Sequence, residues 1–122
     1  MLIPLMFVRD VTEAIAFYTG VLDFHLAEAM PEEAPFYAVL VRSTDELHLN
    51  RTPGEHRQPG HGCAIVLCDD VDSLYAQFRS RGLTPARPGS PVHQAPLDQT
   101  WGTRELYVDD PDGNTLVFQQ RR

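Results

Sequence analysis

One pattern of residues occurs twice in this chain, sixty positions apart. Asp10, Val11, Ala14, Ile15, Ala16 and Tyr18 fall on Asp70, Val71, Leu74, Tyr75, Ala76 and Phe78 when the first segment is shifted by that amount. A chance pair of amphipathic helices matches this closely only occasionally, so the chain reads as two copies of one supersecondary unit. Each copy opens on an apolar, β-prone run, Leu2 to Val8 in the first and Cys63 to Cys68 in the second. An aspartate then offers a helix N-cap, Asp10 or Asp70. Apolar residues follow at helical spacing: Ala14, Ile15, Tyr18, Val21 and Leu22, with Gly20 near the end, and then Val71, Leu74, Tyr75 and Phe78, ending at Gly82.

The remainder of each half reads as strands. In the first, Phe24 to Ala29 is a short strand and Met30 to Pro35 breaks it; the run Phe36 to Val41 is another, and Glu46 to Asn50 a third. Arg51 to Gly62 holds Pro53, Gly54, Pro59 and Gly60 with no apolar period, so it reads as a linker. In the second, a proline-rich stretch runs from Pro85 to Pro96, a strand from Thr103 to Val108, a turn through Asp110, Pro111, Asp112 and Gly113, and a last strand from Thr115 to Gln119. The first half therefore reads βαβββ and the repeat assigns the same order to the second, of which three strands are evident: an α+β chain of two tandem βαβββ modules, with module one at about 1–52, a linker at about 53–61 and module two at about 62–122, all within a single domain.

The chain's 122 residues, 43% of them apolar, are enough for one core without covalent staples. A net charge of −7 with scattered basic residues argues against nucleic acid as a partner, because phosphate contacts need clustered cations. The same charge would draw in a cationic small molecule, or simply keep the protein soluble. Cys63 and Cys68 stand five apart on one strand, which points them to opposite faces and argues against a bridge. No signal segment opens the sequence, and no apolar run approaches the roughly 18 residues of a membrane span, so a cytoplasmic location without a membrane partner is expected.

Three sequence features together resemble the vicinal-oxygen-chelate superfamily, which includes glyoxalase, dioxygenases and the bleomycin-resistance proteins. They are Val8-Arg9-Asp10-Val11 with Phe17-Tyr18, the echo Asp69-Asp70-Val71, and Trp101-Gly102-Thr103-Arg104-Glu105 followed by Asp110-Pro111-Asp112-Gly113-Asn114. The last turn is similar to a fold signature of the superfamily, and the Trp-Gly-x-Arg-Glu run looks most like the bleomycin-resistance branch. The resemblance implies that each module curls its strands into half of an open barrel, a curved sheet around a concave site. It also implies a homodimer.

Enzymes of that superfamily hold a divalent metal through His and Glu or Gln on the first and last strands of the modules. The resemblance puts those positions at Ile3, His48, Cys63 and Val117. Two are hydrocarbon, and a thiol with one imidazole falls short of an oxygen-rich chelate. His25, His56, His61 and His93 do not complete a set by spacing, so no metal and no cofactor is expected. Alternation along the strands then places Ile3, Leu5 and Phe7, His48 and Asn50, Cys63, Ile65 and Leu67, and Thr115, Val117 and Gln119 on one face. The family pattern adds Thr103, Glu105 and Tyr107, and matches Tyr37 to a groove aromatic and Trp101 to a tryptophan that touches ligand.

Each candidate carries a structural alternative. Trp101 either stacks on a planar group, its N–H free to hydrogen-bond, or plugs the core beneath the proline-rich segment. Phe36 and Tyr37 either line the groove or fill a buried strand. His48 is a ligand contact or a half-buried, hydrogen-bonded histidine, and Cys63 a small buried apolar residue or a reactive thiol. Glu105 meets a cationic group or pairs with Arg104 or Arg51. The resulting expectation is a binding protein, with no catalytic residue, that sequesters a planar aromatic or cationic natural product such as a bleomycin-class antibiotic. The alternatives are a metal-dependent glyoxalase-like lyase or isomerase or extradiol-type dioxygenase, and a metal-free member of a biosynthetic pathway, acting as carrier or as catalyst with Glu105 or His48 as base.

Overall fold

A computed structural model describes residues 1–54, 57–85 and 87–122. These divide into two compact units: Met1–Gly62 with Asp110–Asn114, and Cys63–Asp109 with Thr115–Arg122.

The first unit holds β1 (Leu5–Val8), α1 (Val11–Gly20), β2 (His25–Met30), β3 (Tyr37–Arg42) and β4 (Asp45–Arg51), with sheet order β1-β4-β3-β2. The second holds β5 (Cys63–Leu67), α2 (Val71–Ser80), a 3-10 turn (Pro91–His93), β6 (Leu97–Asp98), β7 (Thr103–Asp109) and β8 (Thr115–Arg121), ordered β5-β8-β7-β6. The opening strand of each unit runs parallel to the closing one, β1 to β4 and β5 to β8, and the other pairs are antiparallel. Neither sheet closes into a barrel. The architecture is the two-module α+β arrangement expected from the repeat.

Both helices start where the sequence places them. The Asp10 carboxylate accepts the Glu13 N–H at 3.0 Å, and the Asp70 carboxylate accepts the Ser73 N–H at 3.0 Å. Such a cap satisfies an amide that would otherwise lack a partner and contributes about 1 kcal/mol. Strand alternation then sorts the side chains. Met6, Val8, Ala38, Leu40, Leu47 and Leu49 are buried in the first unit with Val11, Ala14 and Tyr18 of α1. Leu106, Val108, Leu116 and Phe118 are buried in the second with Val71 and Phe78 of α2. The Phe78 and Phe118 rings lie 5.1 Å apart. The opposite face of each sheet is left partly open.

The turn Asp110–Asn114, though it joins β7 to β8, belongs to the first unit. The Asn114 amide is fully buried and spans three partners: its Oδ1 accepts Gly62 N–H at 2.8 Å, and its Nδ2 donates to Phe7 O at 3.0 Å and Asp110 Oδ2 at 2.9 Å. Asp110 also accepts the Tyr18 hydroxyl at 2.9 Å and the backbone N–H groups of Asp112 and Asn114. Burial raises the pKa of both Tyr18 and Asp110; for Asp110 the hydrogen bonds from Asn114 and Tyr18 oppose the rise. Gly60 donates to Phe7 O at 2.9 Å with φ +84°. A Cβ there would strike the Asp112 carbonyl oxygen, so the close approach requires glycine.

Several boundaries depart from expectation. The first strand begins at Leu5, not Leu2, because Pro4 has no N–H for the ladder; its carbonyl accepts His48 N–H at 3.0 Å. Ile3 therefore lies outside the strand and is exposed. Phe36 also falls just outside its strand. Arg51 continues β4 rather than opening the linker. The proline-rich segment holds the 3-10 turn, and β6 supplies the second module's remaining strand from only two residues, too short to leave a period in the sequence. Among the described residues, no helix is long and apolar enough to cross a membrane.

Candidate functional site

The open face of the second unit is built on β5, β8 and β7. Pairing aligns Cys63, Ile65 and Leu67 with Thr115, Val117 and Gln119, and sets Val117 beside Tyr107 and Gln119 beside Glu105. One face thus gathers the expected positions of this module, together with Trp101 from the loop before β7. Ile65 and Leu67 are exposed, as is Cys63.

Glu105 organises this face. It is only 2% exposed, and its carboxylate accepts four hydrogen bonds. Gln119 Nε2 donates at 2.6 Å, Thr103 Oγ1 at 2.9 Å and Trp101 Nε1 at 3.3 Å, all to Oε2; the Tyr107 hydroxyl donates to Oε1 at 3.3 Å. Burial pushes the Glu105 pKa up, but the bonds from Gln119, Thr103, Trp101 and Tyr107 outweigh it and bring the group below the usual glutamate value. Tyr107 is pushed up, by burial first and then by the Glu105 charge. The result is an ionised carboxylate held in place by side chains from a loop and two strands.

Three of the alternatives are overturned here. Trp101 does not plug the core, since it is 63% exposed; nor is its N–H free, because Glu105 holds it. Cys63 is not a buried apolar residue, because the face it occupies is not covered within its unit. Glu105 pairs with neither Arg104 nor Arg51. Arg104 lies on the other side of β7 and binds Asp72 through two nitrogens at 2.9 Å and Asp98 at 3.1 Å. Thr103 and Val117 are themselves buried, at 8% and 6% exposure.

The first unit's open face carries Leu5 and Phe7 on β1, Glu46, His48 and Asn50 on β4, and Tyr37 on β3. The register pairs Leu5 with His48, and Asn50 with both Phe7 and Tyr37. The Tyr37 hydroxyl lies 2.6 Å from His48 Nδ1, and His48 Nε2 lies 2.8 Å from Glu46 Oε1. The Arg57 guanidinium sits over the Phe7 ring, 4.4 Å from its centroid. Phe36, immediately before β3, is 49% exposed. Sequence reasoning missed Glu46, although its i, i+2 spacing from His48 puts both on one face of a strand.

The positions to which the resemblance assigns metal ligands do not fit a metal. Ile3 and Val117 offer no lone pair, and both ring nitrogens of His48 are engaged by Tyr37 and Glu46. Among the described residues, no three His, Cys, Asp or Glu side chains gather as a candidate ion site. His25 opens β2, His61 sits in the loop before β5, and His93 is buried between Ser90 and Asp109; His56 lies outside the described residues.

No curated protein matches the sequence. Solved structures do match. A bleomycin resistance determinant encoded on the transposon Tn5 superposes with a TM-score of 0.79 at 25% identity, covering 100% of this chain and 98% of that one. A bleomycin-binding protein complexed with bleomycin gives 0.78 at 25% identity, with the same coverage. The bleomycin-binding protein of bleomycin-producing Streptomyces verticillus, complexed with copper(II)-bleomycin, gives 0.76 at 20% identity over 99% of this chain and 95% of that one. The family model for the Glyoxalase/Bleomycin resistance protein/Dioxygenase superfamily matches residues 3–118, and with nearly the whole sequence covered and the two-module fold in place, the chain belongs to that superfamily.

Proposed function

We propose that this protein sequesters a small-molecule natural product, a bleomycin-class glycopeptide or another aromatic antibiotic, and protects a cell without transforming the compound. The observation that carries the reading is Trp101. A large aromatic side chain, 63% exposed, is tethered through its N–H to a buried carboxylate on the face that also exposes Ile65 and Leu67. Exposing such a ring costs solvation free energy, and fixing it costs rotamer entropy; both are recovered when a flat ligand covers it. Tyr107, Cys63, Thr103 and Val117 extend this face. Phe36, Tyr37, His48, Asn50 and Phe7 form the corresponding face of the first unit. The Glu105 charge favours a ligand with a cationic group, in line with the −7 net charge.

The two structural relatives at 25% identity, a bleomycin resistance determinant and a bleomycin complex, support this reading. The same resemblance favours a homodimer; the cytoplasmic location and the single 122-residue domain of two modules are the expectations from the sequence and accompany this reading. The poor fit of the four ligand positions to a metal favours binding over metal-dependent chemistry, and a metal carried by the ligand itself is compatible with it.

Trp101 is the sole tryptophan, so its fluorescence reports on the site directly. Titration with bleomycin, with and without copper or zinc, and with other planar antibiotics should quench it saturably. Trp101→Ala should abolish binding measured by calorimetry while leaving the far-UV circular dichroism unchanged. Unchanged affinity in that variant would remove Trp101 from the site and the reading with it.

A further inference from the structure

The geometry points to a second chemistry on the first unit's open face: Tyr37, His48 and Glu46 form a proton relay that makes the Tyr37 oxygen a nucleophile toward an activated acyl donor, such as an aryl ester or thioester. The three side chains come from adjacent strands, β3 and β4, whose register is continuous from Tyr37 through Arg42, so their spacing is set by the ladder. The order of protons follows from the partners. A carboxylate only accepts, so Glu46 at 2.8 Å holds the proton on His48 Nε2. That leaves Nδ1 as the acceptor for the Tyr37 hydroxyl at 2.6 Å, a base already in contact with the proton it would remove.

This is the logic of a nucleophile, a base and an orienting carboxylate, with a phenol in place of an alcohol. A phenol surrenders its proton to an imidazole more readily than an aliphatic hydroxyl does. In the step, Tyr37 Oη attacks the acyl carbon and its proton passes to His48 Nδ1. Glu46 steadies the imidazolium that forms. The bond from the acyl carbon to the leaving oxygen or sulfur breaks, and the leaving group departs with the proton from His48 or gives it up to water. The product is an O-acyl tyrosine. His48 handles the transferred proton, and Glu46 is a positioning residue.

The composition makes the test clean. All ten basic residues are arginine, so the chain has no lysine amine to acylate. Cleavage after arginine puts Tyr37 on fragment 10–42, while both cysteines lie on fragment 58–79 and Tyr107 on fragment 105–121. The full chain is incubated with p-nitrophenyl acetate, nitrophenolate release is followed, and the acetyl group is located by fragment mass spectrometry. Acetylation of Tyr37 should outpace that of Tyr75 and Tyr107 by about a hundredfold, the lower range of general-base assistance. Tyr37→Phe should remove the label from that fragment, and His48→Gln should bring the rate down to that of the other tyrosines. Glu46→Leu should slow it, and Glu46→Gln, which keeps an acceptor for the His48 N–H, should restore part of the loss. Circular dichroism checks each fold, and if His48→Gln unfolds, the Glu46 pair carries the test. Acetylation of Tyr37 no faster than that of Tyr75, or a rate indifferent to the His48 and Glu46 substitutions, overturns the relay. The antibiotic-binding reading is tested separately, through Trp101 fluorescence of the unsubstituted chain, so its failure and that of the relay are distinguishable.

Discussion

Replacing Glu105 by glutamine keeps the volume of the side chain and removes only its charge. Of the four bonds to the carboxylate, those from Gln119 at 2.6 Å and Thr103 at 2.9 Å are short, and those from Trp101 and Tyr107 at 3.3 Å are weak. A hydrogen bond to a charged group contributes about 1.5–3 kcal/mol against about 1 kcal/mol for a neutral pair. Losing charge at the two short bonds should therefore cost about 2 kcal/mol, once the easier burial of a neutral amide is set against it. Urea unfolding at neutral pH, followed by far-UV circular dichroism, measures it. The acid limb adds a sign. Because the folded pKa of Glu105 lies below its unfolded value, its contribution is fully present above the unfolded pKa and is lost as pH falls through the folded one. The gap between wild type and Glu105→Gln should therefore narrow on acidification below the ordinary carboxylate range. Equal stability at neutral pH, or a gap that persists in acid, would refute the idea that an ionised carboxylate holds this face together.

Asn114→Ala removes three buried hydrogen bonds and strands the Gly62 N–H, while the Phe7 carbonyl keeps its Gly60 donor, for a loss of about 3 kcal/mol in chemical denaturation. Gly60→Ala sets a methyl against the Asp112 carbonyl at a positive φ and should cost about 1–3 kcal/mol, read as a lowered Tm. Asp10→Ala and Asp70→Ala should each cost about 1 kcal/mol through the lost cap, and in the double variant the two losses should add. Sedimentation velocity should find a dimer.

The repeat, the helix starts and the alternation of strand faces were legible in the sequence because each is set within a few residues. An aspartate three positions ahead of an amide caps it wherever the rest of the chain goes, and a period of two fixes which side of a strand a residue takes. This was enough to read two repeated modules and to put Thr115, Val117 and Gln119 on one face of their strand; the family resemblance, not the periodicity, added Glu105 and Tyr107 to that face. Tertiary structure decided what those residues touch. Glu105 finds Gln119 across a strand pair rather than Arg104 next to it, because neighbours along a strand point apart. Tyr37 meets His48 and Glu46 through strand register, and Tyr18 meets Asp110 from 92 positions away. Such partners depend on which strands lie side by side. That is chosen by burial of the whole apolar set, and no local stretch of sequence contains it.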